Sequence, residues 1–192
     1  MTHHLLDLAE SLVITSGDSY ILSYPSLLSF FGSRKDFSEA EFVCGAHMVY
    51  GWMPTILELH PDPPSVDLAT CARLLTKARA GGLLANDEIR QLADVMNNSL
   101  VGASKLLHFA APDTYAIWDS RIYTYLYGRK PHHYQVSDIS KYRDYHNQLI
   151  EYQKDPRFLG FHKTVSAKLG YPVSGLRALE LVMFQNSAAV AA

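Results

Sequence analysis

Apolar residues recur along this chain at helical rather than alternating spacing, and the runs break at proline, glycine and asparagine. Residues 2–14 offer a first helix. The apolar stretch from Tyr20 to Phe31 is interrupted by Pro25, with Tyr20 to Ser23 ambiguous between helix and strand. Ser38 to Tyr50 follows, with Phe37, Ala40, Phe42, Val43 and Ala46 at mixed helical spacing, and Met53-Pro54 opens a new segment. His60-Pro61-Asp62-Pro63-Pro64 is the sharpest break, because three prolines in four positions forbid helix continuation. Ser65 or Asp67 can cap the next helix, which carries Leu68, Cys71, Ala72, Leu74 and Leu75 and ends at Gly81-Gly82.

Asn86 is placed to cap a helix with Asp87 and Glu88 in its first turn, where carboxylates favour the helix dipole. Ile89, Leu92, Ala93 and Met96 line one face, and Asn97-Asn98-Ser99 stops it. Gly102 then opens a turn into a helix over 104–110, so residues 86–110 read as helix, short turn, helix. Pro112-Asp113 ends that helix, and Tyr115 to Trp118 runs extended. Asp119 caps a helix containing Ile122, Tyr123 and Leu126, and Gly128 to Tyr134 is a polar loop. Ile139–Gln153 and Phe158–Leu169 are helices separated by Asp155-Pro156. After Gly170-Tyr171-Pro172, Ser174 caps a last helix, with fraying expected from Ser187 to Ala192. The expectation is an all-α domain of eight to ten helices over residues 1–192, with a candidate lobe boundary near 61–64 and two lobes around a cleft as one form of it.

Composition narrows the class. Neither the apolar fraction of 48% nor the charged fraction of 19% departs from an ordinary globular domain. No apolar run is long enough for a membrane span, and Met1 to Leu12 lacks the order of a signal peptide. Cys44 and Cys71 stand alone, without paired spacing or a charged activator, and read as buried thiols in a reducing compartment. The cytoplasm is the expected location. The net charge of −2 hides an asymmetry: residues 1–70 carry −7 and residues 71–192 carry +5. Between Arg121 and Arg143, five basic residues face one acid, Asp138, a balance suited to phosphates or to a solvated surface.

The chemistry concentrates in Val101-Gly102-Ala103-Ser104-Lys105-Leu106-Leu107-His108-Phe109 and Pro112-Asp113-Thr114-Tyr115-Ala116-Ile117-Trp118-Asp119-Ser120-Arg121. Lys105 follows a glycine at a helix start, and Asp119 opens the next helix 14 residues later. A helix over 104–110 runs about 10 Å, and an extended return can span more than about 20 Å, so both groups can face one cleft. Cleavage of an N-glycosidic bond builds positive charge on the sugar. A carboxylate stabilises that charge, and a neutral lysine can attack the same carbon and go on to a Schiff base. Burial and a helix N-terminus favour the neutral amine, whereas an adjacent carboxylate opposes it.

This constellation resembles the helix-hairpin-helix DNA glycosylases, nearest to the 8-oxoguanine type with glycosylase and AP lyase activity. The likeness covers about residues 86–128. It implies Lys105 as catalytic nucleophile, Asp119 as catalytic carboxylate, and a base flipped out of damaged duplex DNA into a pocket. Gly102 and Ser104 would then hold a DNA phosphate at the hairpin. Arg121, Arg129 and Lys130 would hold further phosphates. Trp52, Phe109 and Trp118 are the candidate walls of the base pocket, each also able to serve as plain core.

No cofactor and no metal ion are expected. His132-His133, His108 and His146 match no ligand spacing and read as loop and core histidines. Eight of the twelve tyrosines fall between Tyr115 and Tyr152, and Tyr142 and Tyr145 share a helix face. They carry the competing expectation: a non-catalytic helical protein that binds a protein partner through the basic, tyrosine-rich segment 115–152. Core packing of the same rings is the simpler use. A DNA-binding module without catalysis is a third.

Overall fold

A computed structural model describes residues 5–15, 17–62 and 66–190. Residues 2–4 of the expected first helix, Pro63 and Pro64 of the proline-rich break, the alternative cap Ser65 and the last two residues lie outside the described residues. Among those described, the chain is all-helical, with no strand. Contacts divide it into two compact units, Leu22–Tyr115 and Met1–Ile21 with Ala116–Ala192. The division therefore does not fall near 61–64. Pro61 and Asp62 lie inside the first unit, where Asp62 and Val66 exchange two backbone hydrogen bonds of 2.9 Å.

The Leu22–Tyr115 unit contains most of α1 (Ser19–Gly32), then α2 (Glu39–Trp52), α3 (Leu68–Arg79), α4 (Asn86–Val95) and α5 (Leu100–Ala110). Ser38 starts α2 with a reciprocal cap: its side chain takes the Glu41 N–H, and Glu41 takes the Ser38 N–H at 2.9 Å. Asp67 starts α3 by accepting from Thr70 N at 2.7 Å. The helix expected from Asn86 has Ala85 as its cap residue, whose N–H donates to Glu88 at 2.7 Å. α5 is the unit's central helix, buried without a break from Gly102 to Ala110, with α2, α3 and α4 packed against it.

The second unit gathers a 3-10 helix (Leu5–Ser11), α6 (Ser120–Tyr127), α7 (His133–Val136), α8 (Ile139–Gln153), α9 (Phe158–Leu169) and α10 (Gly175–Val190). The first element is a 3-10 helix rather than the expected α-helix; it buries Leu5, Leu6 and Ala9, and Leu12 just after it is buried as well. α10 stays helical to Val190, past the point where fraying was expected. It packs on α6 and, with α9, on the 3-10 helix. Two hydrogen bonds join Val13 to the Gln185 amide, at 3.1 and 2.8 Å.

α1 runs through Pro25 as one helix. A proline there removes the N–H that would bond the carbonyl four residues back, at Ile21. Tyr171 supplies the missing donor: its hydroxyl gives a 2.9 Å hydrogen bond to Ile21 O.

Candidate functional site

Lys105 owes its place to the turn before α5. Asn97 and Asn98 both adopt left-handed backbone, at φ of 56° and 48°, a region that asparagine tolerates better than most residues. The Asn97 side chain fixes this turn by accepting from Glu58 N at 2.9 Å and donating to Ile56 O at 3.2 Å. Ser99 then caps α5, its hydroxyl accepting from Gly102 N at 3.1 Å. The helix thus begins at Leu100, not at 104, and Lys105 sits in its second turn, where the terminal dipole acts less directly.

This corrects the hairpin roles expected of Gly102 and Ser104. Gly102 lies within the helix, its N–H is taken by the Ser99 cap, and its Cα faces the Tyr50 ring. Ser104 is fully buried and donates to Val101 O at 2.9 Å. Neither presents a group to a phosphate.

The Lys105 side chain is 9% exposed, and its Nζ lies 5.6 Å from the centre of the Trp52 ring, within cation–π range. Trp52 meets Phe109 edge to face at 5.2 Å, and Tyr24 packs at 5.3 Å from Phe109. His108, one helical turn after Lys105, is wholly buried; its Nδ1 lies 2.8 Å from Tyr115 O and its Nε2 2.7 Å from Tyr24 Oη. A carbonyl only accepts, so Nδ1 carries a proton, and when the ring is neutral Nε2 is the acceptor facing the Tyr24 hydroxyl. Of the expected pocket walls, Trp52 and Phe109 share this cluster with Lys105. Phe109 is core, packed on Phe31 as well. Tyr24 and His108 were not expected here; the three-residue spacing of Lys105 and His108 was their one local signal.

Asp119 belongs to the other unit. It is 8% exposed and caps α6, with Oδ1 accepting from Arg121 N at 2.9 Å and Ile122 N at 3.0 Å. The segment before it is anchored by two groups: Trp118 Nε1 donates to Val136 O at 2.9 Å, and Tyr142 Oη donates to Ala116 O at 3.2 Å. Trp118 is fully buried with Tyr145 and Tyr123 against its ring, so it is core and not an exposed wall. Tyr142 and Tyr145 are also buried, which corrects their expected use as a partner-binding face.

Beside Asp119, α6 and α10 flank a cleft of about 450 Å³ lined by Ser120, Arg121, Thr124, Lys130 and Phe184 among others, with no carboxylate in its wall among the described residues. The Arg121 guanidinium carbon lies over the Phe184 ring, 4.4 Å from its centre. Thr124 and Ser187 spend their hydroxyl protons on Ser120 O and Phe184 O, and the Gln185 amide is engaged with Val13. Arg121, Lys130 and the Ser120 hydroxyl are the donors left facing the cleft, a set suited to an anion. Arg129 is exposed just beyond, after the left-handed Gly128 that ends α6. A second cleft, of about 600 Å³, is walled by Tyr127, Asp144, Glu151, Tyr152 and Asp155, the wrong sign for phosphate.

Cys71 is buried, and burial pushes its thiol up to about 12, so it is inert. Cys44 is exposed, contrary to expectation. Among the described residues no group of three or more His, Cys, Asp or Glu side chains is gathered to hold a metal ion, and no helix is long and apolar enough to cross a membrane. Compared with family models, curated proteins and solved structures, the chain matches none.

Proposed function

We propose that this chain is a DNA base-excision glycosylase in which Lys105 is the nucleophile, with AP lyase activity following from the same amine. The observation that carries the reading is the burial of Lys105 in the middle of the central helix α5, its amine laid against Trp52. A lysine inside an aromatic cluster is a costly core residue and a good place for an amine that must react. In the reaction the Lys105 nitrogen bonds to the sugar C1′, the N-glycosidic bond breaks, and the base leaves with the bonding pair and takes up a proton. Ring opening then gives a C1′ imine. The reading assigns Asp119 the carboxylate that stabilises the positive sugar, and Arg121 and Lys130 the flanking phosphates. The carboxylate-free cleft beside α6 supports the phosphate role of Arg121 and Lys130.

Borohydride reduces such an imine to a permanent amine link. Wild-type protein with duplex DNA containing 8-oxoguanine or an abasic site is expected to give a cross-link, and Lys105→Ala or Lys105→Gln none, with both variants checked for folding by circular dichroism. No adduct with wild type, or an adduct undiminished by the substitutions, overturns the proposal.

A second reading is partner binding through 115–152 without catalysis. Its support is the exposure of Tyr134 at 70% and Tyr127 at 42%, beside Arg129 and Lys130. It expects Tyr134→Ala to weaken capture of a partner while Lys105→Ala leaves it intact.

A further inference from the structure

Tyr134 stands 70% exposed on α7, yet the helix beneath it is firmly held. At its start the buried Gln135 side chain takes the His132 N–H at 2.9 Å. At its end Val136 O takes the indole proton of the fully buried Trp118, also at 2.9 Å. The Tyr134 ring lies against that of His132, with centroids 5.8 Å apart and planes 6° from parallel. A single exposed tyrosine needs no explanation. Two rings kept parallel at the surface, on backbone tied down at both ends, are a flat face whose ordering cost has already been met before any ligand arrives.

This face adjoins the cleft beside α6. Lys130 and Pro131 line that cleft with Arg121, and His132 is the next residue, its Cα about 3.8 Å from that of Pro131. Among the described residues Arg121, Arg129 and Lys130 form no ion pair, whereas Lys141, Lys154 and Arg157 each hold a carboxylate. Cations without carboxylate partners, next to two parallel rings, suit a ligand that carries negative charge beside a flat π-system. An acidic peptide would use the cations and leave the rings idle, and an apolar one the reverse. A nucleotide uses both.

We propose that His132 and Tyr134 form a stacking platform for an unpaired nucleobase, with the phosphate of the same or the adjoining nucleotide in the cleft of Arg121 and Lys130. The ligand is single-stranded nucleic acid. Every base has a π-face, so the platform selects for unpaired bases rather than for sequence. The inference goes beyond the glycosylase reading. It shares with that reading only the phosphate role of Arg121 and Lys130, and it needs no chemistry at Lys105.

The test is fluorescence anisotropy of the full chain with two labelled probes of equal length: oligothymidylate, and the same backbone built from abasic tetrahydrofuran units. Oligothymidylate is expected to bind about tenfold more tightly than the abasic chain, as for one stacked base. Tyr134→Ala is expected to remove this preference while leaving abasic binding unchanged, and Tyr134→Phe to keep it. A substitution this exposed leaves the fold alone, which circular dichroism checks. Lys130→Gln is expected to weaken both probes alike and to reduce the salt slope by about 0.7. Equal affinity of the wild type for the two probes, or binding of neither, overturns the inference, and so does an undiminished preference in Tyr134→Ala. Loss of a protein partner by Tyr134→Ala, with no base-dependent binding in the wild type, favours the second reading instead. Base-dependent binding without a borohydride adduct overturns the glycosylase reading and supports this site. An adduct through Lys105 with no preference between the probes does the opposite.

Discussion

The Tyr171 hydroxyl caps the Ile21 carbonyl at 2.9 Å, the one acceptor in α1 that Pro25 strips of its helical partner. A proline inside a helix is thereby tolerated through a side chain 150 residues away in sequence. Tyr171→Phe is expected to cost about 1 kcal/mol in urea unfolding, plus part of the penalty for an unsatisfied carbonyl. In a Pro25→Ala background, the backbone N–H that the substitution restores can close the helical bond, and the cost of Tyr171→Phe should shrink. Equal costs in both backgrounds would mean the hydroxyl has another role.

Gly102 is set by contact, not by backbone angle. A Cβ there would stand 2.3 Å from Tyr50 Oη and 2.8 Å from two ring carbons. Tyr50 cannot swing away cheaply, because its hydroxyl donates to Met96 O at 2.8 Å in the turn before α5. Gly102→Ala should destabilise by at least about 1–3 kcal/mol, the usual range for overpacking. Adding Tyr50→Phe removes the closest clash and should recover part of the loss; a Gly102→Ala midpoint equal to wild type contradicts the contact.

Arg177 and Glu180 form an ion pair with side-chain exposures of only 5% and 2%. Glu180→Ala takes this buried carboxylate from the guanidinium and should cost about 3–5 kcal/mol. Arg177→Met with Glu180→Leu removes both charges and should lie much closer to wild type. Denaturation curves for the three proteins decide this; a single variant no worse than the double one refutes it.

Acid should weaken the start of α8. Hydrogen bonds from Ser140, together with the Lys141 ammonium, lower the Asp138 carboxyl from 3.8 to about 2. A carboxyl whose folded value lies below its unfolded one stabilises above about pH 4 and loses that contribution as pH falls toward 2. Thermal midpoints measured from pH 6 to pH 2 should drop in this window, and Asp138→Asn should flatten part of the drop. A variant with the full wild-type slope would point to other carboxylates, such as Glu88 beside Lys77.

The helices were legible where their ends carry local chemistry. Asp67 and Asp119 each accept backbone hydrogen bonds at the start they announce; Asp138 does the same for α8 without having been singled out as a cap. The start of α5 was misplaced because the turn relies on two left-handed asparagines, while Gly102, the obvious turn residue, is needed for its lack of a side chain against Tyr50. Lys105 and Asp119 could be singled out, but their surroundings could not. Tyr24 comes to His108 from 84 positions away, and no spacing encodes that. The α8 tyrosines were the reverse case. Ile139, Tyr142, Tyr145 and Leu149 mark one apolar stripe, the signature of an inward face, which should have outweighed the basic residues interleaved with them.

The pairing of Val13 with Gln185 fixes an order of events during synthesis. The Leu22–Tyr115 unit is contiguous and can fold while the ribosome is still making the rest. The other unit needs residues from both flanks, so its leading segment must wait unfinished until residue 185 and those around it have emerged. Pausing translation between the two, or truncating before α10, should therefore yield a protease-resistant core confined to the central stretch.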